Sequence, residues 1–356
     1  MAFGNSFNGG NLGGAVDLTA PTTNIGTVTP PAIIVSTLFR SANTGNIPFV
    51  AQSSGTGAFQ LQPTDSTVVG GNARGANAVD LQTVRSAATE VASALGSVTI
   101  GKNNTASASN AVAIGVGNTV SVIGTIALGR ANTASANDAM AIGVGNTVSG
   151  IGSVALGNAN TVPGVISFAV GNSNIASGSN SVAMGLQNTA SGDYSVALGN
   201  FSTTKSISSY LVLGSRAFSS AIGKNQLGFL SLAGETINAT PKVLNSDPNV
   251  AATANQLALQ NNSATVVRGL AIATITGAGD TKSWEVVATI KRGANAASTV
   301  LVGSPTVTVL HQDAGASTWV LAITADTTNG CLAATVTNDA RTVRVNFSLF
   351  NSEVAF

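Results

Sequence analysis

Few residues in this chain have types and spacings suited to chemistry. His311 is the only histidine and Cys331 the only cysteine among 356 residues. A multi-histidine zinc site and an intrachain disulfide are therefore both ruled out for one chain, and Cys331 is expected to fill space. His311, Gln312 and Asp313 stand together as a polar loop or a receptor contact. Asp326 and Asn329 sit in the turn-forming stretch DTTNG and join them as receptor-contact candidates. Between positions 98 and 231 the only acidic residues are Asp138 and Asp193, so the facing carboxylate pair of a glycan-cleaving enzyme is missing there. Stretches such as GVGNT lack the lysine of a phosphate-cradling loop. Trp284 and Trp319 could stack on sugars, yet in a region short of large side chains they read as core anchors. The expectation is a non-enzyme with no catalytic residue, no metal and no cofactor.

Charge points the same way. The net charge is +1, and the 15 basic residues are too scattered to neutralise neighbouring phosphates, so no nucleic-acid partner is expected. The opening MAFGNSFNGGNLGG has neither a basic start nor an apolar core. No apolar run approaches the roughly 18 residues of a membrane span. We therefore expect neither a secretory signal nor membrane insertion.

The elements that position these residues announce themselves by repetition. VTIG, VAIG, IALG, MAIG, VALG, FAVG, VAMG and VALG end at Gly101, Gly115, Gly129, Gly143, Gly157, Gly171, Gly185 and Gly199, always 14 residues apart, and a slipped copy, LVLG, ends at Gly214. Three positions after the first seven of these glycines stand Asn104, Asn118, Asn132, Asn146, Asn160, Asn174 and Asn188. A threonine file follows at the next position, interrupted by Ile175. The file could order water, as in ice-binding solenoids, or simply mark a stacked turn.

Within a unit, Val112 and Ile114 face one way and Ala113 the other, the period of a strand. Two short strands in 14 residues make one coil of a β-solenoid, and each coil adds roughly 4.8 Å along the axis. So thin a ribbon leaves much of its apolar face to water. Three copies around one axis are expected to cover it.

Units such as NAVAIGVGNTVS and NSVAMGLQNTASG resemble the head repeats of trimeric autotransporter adhesins over about 98–215. The resemblance implies a trimeric parallel β-roll used for adhesion or display, a repeat that phage fibres share. Residues 70–93, GGNARGANAVDLQTVRSAATEVAS, are similar to the segment preceding such repeats in phage fibres. Leu81, Val84, Ala88, Val91 and Leu95 permit a short coiled coil there, against which we weigh an irregular β connector. Residues 252–356, with ATANQLALQNNSA, TKSWEVVATIKRGANAASTVLVG, STWVLAITADTTNGCLAATVT and NSEVAF, resemble a C-terminal domain widespread in phage tail fibres. The matching landmarks include Trp284, Arg292, Trp319, Asp326 and Asn329. The departures are Cys331, where relatives show a second glycine, and Val345 beside Arg344. Alternating runs separated by GAGD, QDAGA and DTTNG independently imply an antiparallel β-sandwich or jelly roll.

The expected architecture is therefore all-β. It comprises an N-terminal arm (1–69), a connector (70–97), a β-roll shaft (98–231), a neck (232–251) and a jelly-roll-like sandwich knob (252–356). The expected role is a homotrimeric phage virion fibre, tail- or head-attached. It docks to another virion protein through its arm and touches a host surface receptor, a glycan included, through its knob. The alternatives are a bacterial trimeric surface adhesin and a purely structural decoration fibre. Against the adhesin stands the lack of a recognisable export signal, heptad stalk or barrel anchor.

Overall fold

A computed structural model describes residues 58–61, 65–69, 71–215, 223–277 and 279–356. Residues 1–57 of the expected arm lie outside the described residues, and everything below concerns the unit Gln52–Phe356. The protein is all-β: a parallel solenoid of 14-residue coils runs into an antiparallel region at the C-terminal side.

Each coil begins with a five-residue strand, from Val98–Lys102 to Val196–Asn200, paired in parallel with the next at a constant 14-residue step. A two-residue strand follows, from Thr105–Ala106 to Thr189–Ala190, and these form a second, seven-stranded parallel sheet. The second residue of each long strand points into the coil and is fully buried, as Ala113, Ala127, Ala141 and Ala155 illustrate. The short strand contributes Ala or Val to the same interior. The cross-section is too narrow for more, so the Val, Ile, Leu, Met and Phe side chains of the long strands stand outside.

Stacking explains the repeated glycine. From Gly101 to Gly199 these residues adopt φ between +95° and +122°, a region closed to other residues at low cost. A Cβ at any of them would lie 1.9 to 2.5 Å from the carbonyl oxygen of the glycine one coil on.

The connector is built of strand and turns. Val79–Val84 pairs in parallel with Val98–Lys102 and so acts as a further coil beneath the repeats. The spacing of Leu81, Val84, Val91 and Leu95 that permits a coiled coil instead leaves Val91 buried and Val84 and Leu95 about half exposed.

At the other end, Leu211–Gly214 pairs in parallel with Val196–Asn200 and antiparallel with Asn225–Thr236. Repeat arithmetic would put Asn225–Thr236 across the end of the shaft and the start of a neck. It instead runs its whole length antiparallel to the last strand, Val343–Ala355. The sheet then continues through Ser263–Ile275, Thr281–Arg292 and Thr306–Gln312. Val320–Asp326 and Cys331–Thr337 form a hairpin that anchors a smaller sheet. The two sheets enclose one core around Trp284, Trp319, Phe347, Leu232, Ile290 and Leu332. Both tryptophans are thus core residues, 2% and 0% exposed.

Candidate functional site

The seven asparagines form a hydrogen-bonded column inside the shaft, every one at 0% exposure. In one link, the Asn146 side-chain amide donates to Asn132 Oδ1 (3.1 Å), to the Ile142 carbonyl (3.0 Å) and to the Gly157 carbonyl of the next coil (2.9 Å). Its Oδ1 accepts the backbone N–H and the side-chain amide of Asn160 (2.9 and 3.1 Å). Each carboxamide thereby satisfies polar groups of three consecutive coils where water cannot reach. The column is capped below by Gln82, whose Oε1 accepts the Asn104 N–H (2.6 Å), and above by Ser202, whose hydroxyl donates to Asn188 Oδ1 (2.6 Å). The glycine and asparagine positions therefore build the shaft, and the asparagines are shut away from its surface.

Two charged devices close the ends of the solenoid, and sequence reasoning missed both. Asp80, fully buried, pairs with Arg74 (2.6 Å) and Arg85 (2.8 Å) and accepts the Thr99 hydroxyl (2.8 Å). Above the last coil, Lys205 pairs with the buried Glu353 of the final strand and donates to the Ala258 carbonyl (2.9 Å). Three charges over residues 74–85 of so charge-poor a chain were the available signal for the first. The partners of the second lie 148 residues apart, and no local pattern announces them.

The surface feature with most consequence is the outward face of the long strands. Two apolar side chains project from each strand in continuous files, one from Val98 to Leu211 and the other from Ile100 to Leu213. Most are half-buried by their neighbours in the file, and Met184 and Leu213 reach 40% exposure. A contiguous apolar strip on this scale marks an interaction surface. The threonine file lies on the other sheet, one residue wide and broken at Ile175.

The receptor-contact candidates fall on two different sheets. His311 and Gln312 end the strand Thr306–Gln312, which is exposed along most of its length. The His311 ring lies 3.4 Å from the Asp313 carboxylate, with both side chains exposed. Asp313 also accepts the Thr281 N–H (2.9 Å). Asp326 is occupied by its own turn, accepting from the Thr328 and Asn329 backbones (2.9 and 3.0 Å) and the Asn329 side chain (2.7 Å).

Other polar groups of this region act structurally. Arg341 bridges Asp280 and Asp339 at 2.6 Å each and lies over the Trp319 ring. Its hydrogen bonds hold the Asp339 carboxyl well below the usual carboxylate range. Burial pushes the Cys331 thiol up to about 12. At pH 8 the folded protein is expected to leave Cys331 unalkylated by iodoacetamide, while denatured protein reacts fully; labelling measured by mass spectrometry checks this. Among the described residues no group of three or more His, Cys, Asp or Glu could hold a metal ion, and no helix is long and apolar enough to cross a membrane.

With this geometry in view, comparison with known families is informative. A family model described as the YadA head domain repeat (2 copies) matches residues 92–118, 123–146, 149–174 and 176–202. No curated protein matches the chain. The matched stretches lie within the coils, so the shaft is a β-solenoid whose repeats are similar to those of the YadA head.

Proposed function

We propose that the protein is a homotrimeric phage virion fibre that attaches the particle to a host surface, docking to another virion protein through its N-terminal arm. The observation that carries the trimer is the pair of apolar files outside a solenoid whose interior holds alanines, a few valines and polar side chains. Burying such files returns about 25 cal/mol for each Å² removed from water, and parallel copies around one axis bring identical files together. The resemblance of residues 252–356 to phage-fibre C-terminal domains supports the virion setting. Exposed loops and the outer strand of a terminal knob are where a fibre meets its receptor. The strand Thr306–Gln312 ends the order of the long sheet remote from the coils and carries His311 and Gln312, with Asp313 beside it.

The match of the coils to YadA head repeats supports equally a second reading, a bacterial trimeric surface adhesin. Gold-labelled antibody against the knob distinguishes the two. Labelling of phage particles at tail or head supports the fibre, and labelling of the bacterial envelope without phage supports the adhesin. For the receptor contact, purified full chain is expected to compete with phage adsorption. The combined change His311→Ala, Gln312→Ala and Asp313→Ala is expected to weaken that competition by about tenfold, as loss of one contact cluster does. Unchanged competition removes these residues from the receptor site.

A further inference from the structure

The apolar files do not stop where the coils do. In the sheet pairing, Leu211 stands opposite Phe229, Phe229 opposite Phe350, Phe350 opposite Arg268, and Arg268 opposite Val287. Directly paired residues share a face of a sheet, so this row prolongs the file that begins at Val98. The second file continues likewise from Leu213 to Leu227, Ser352 and Val266. Beside them on the same face stand Leu270 and Ile272, 60% and 52% exposed, with Phe229 at 44%.

We infer that this outer face of the long antiparallel sheet is a contact between copies of the chain, continuing the shaft interface through the knob; the inference rests on the reading of the shaft as a trimer. Three observations select another copy as the occupant. The first is continuity: face and files belong to one unbroken sheet, so an axis that brings the files together carries the knob faces along with it. The second is charge. Arg268 pairs with Glu285 (2.7 Å) and Arg344 with Glu235 (2.5 Å) within the chain, so the charges beside the apolar row are neutralised from within and only Lys291, at the margin of the face, is left to meet an acidic glycan or a polyanion. The third is size. Two side chains on each of nine strands fall just short of the roughly 20–30 residues a side of a stable interface, and the knob face supplies the remainder. A groove of about 620 Å³ floored by Phe229, Leu270 and Phe350 is open in one chain and shaped to take side chains from another.

Hydroxyl-radical footprinting of the full assembled chain tests this. Val266 (43% exposed) lies on the outer face of the long sheet, and Val320 (54%) on the outer face of the smaller sheet. In one chain alone they would be oxidised to similar extents. We expect Val266, Leu270 and Phe350 to be oxidised about tenfold less than Val320, because an interface core is shut off from water; Met184 should be protected in parallel. Protected Met184 with a fully oxidised knob face overturns the inference and leaves the shaft trimer standing. Oxidation of both, in a species of single-chain mass, overturns the trimer and the inference together. Protection of the knob face only on adding host-surface glycan assigns that face to a ligand and also overturns it.

Discussion

Replacing Asn146 by alanine is expected to destabilise the shaft by about 3–5 kcal/mol per chain, among the larger effects of a single side-chain truncation. The change removes a carboxamide that serves three coils. It strands the Asn160 backbone N–H and takes one donor from each of the Ile142 and Gly157 carbonyls. All lie where water does not enter, so each orphan carries much of its desolvation cost, with the N–H worse off than the two-lone-pair carbonyls. Alanine also leaves a void in a column of identical residues, which stacked neighbours cannot collapse to fill. Thermal unfolding followed by circular dichroism measures the effect. A shift no larger than that of the exposed Thr147→Ala control would show that the column carries little stability.

The second large effect is expected at Gly143→Ala. Its φ of +120° is strained for any L side chain, and an added Cβ would lie 2.0 Å from the Gly157 carbonyl oxygen. Strain of about 1–3 kcal/mol and overpacking of similar size add to about 2–6 kcal/mol. The obstacle is backbone, so no side chain can rotate aside. The neighbouring Gly145 separates the two causes: its φ is +66°, but a Cβ there meets nothing within 4 Å. Gly145→Ala should therefore cost only about 1 kcal/mol, the left-handed penalty alone. Equal melting shifts for the two variants would contradict the stacking argument.

How much of this was legible beforehand depends on how far apart the partners lie. The 14-residue period, the two strands per coil and the glycine and asparagine positions were readable because each coil repeats its neighbour's environment. Alternation of Val112, Ala113 and Ile114 shows that a strand has two faces, yet it leaves open which face is inside. The narrow coil decides for Ala113 and leaves the larger residues outside. Turn chemistry exposed the antiparallel character of the C-terminal region. The pairing of Asn225–Thr236 with Val343–Ala355 joins segments more than a hundred residues apart, and alternation alone names no partner for a strand. Asp326 and Asn329 read as candidate contacts because they are polar and turn-borne, but that polarity is spent on the turn itself. His311, Gln312 and Asp313 combine polarity with an exposed edge.

Everything proposed for this protein depends on the outer files being covered by identical copies. Sedimentation equilibrium on the full chain addresses that directly. The account predicts one folded species at three times the 35.0 kDa of the chain, unchanged on dilution to nanomolar concentration. A stably folded species of single-chain mass would contradict it.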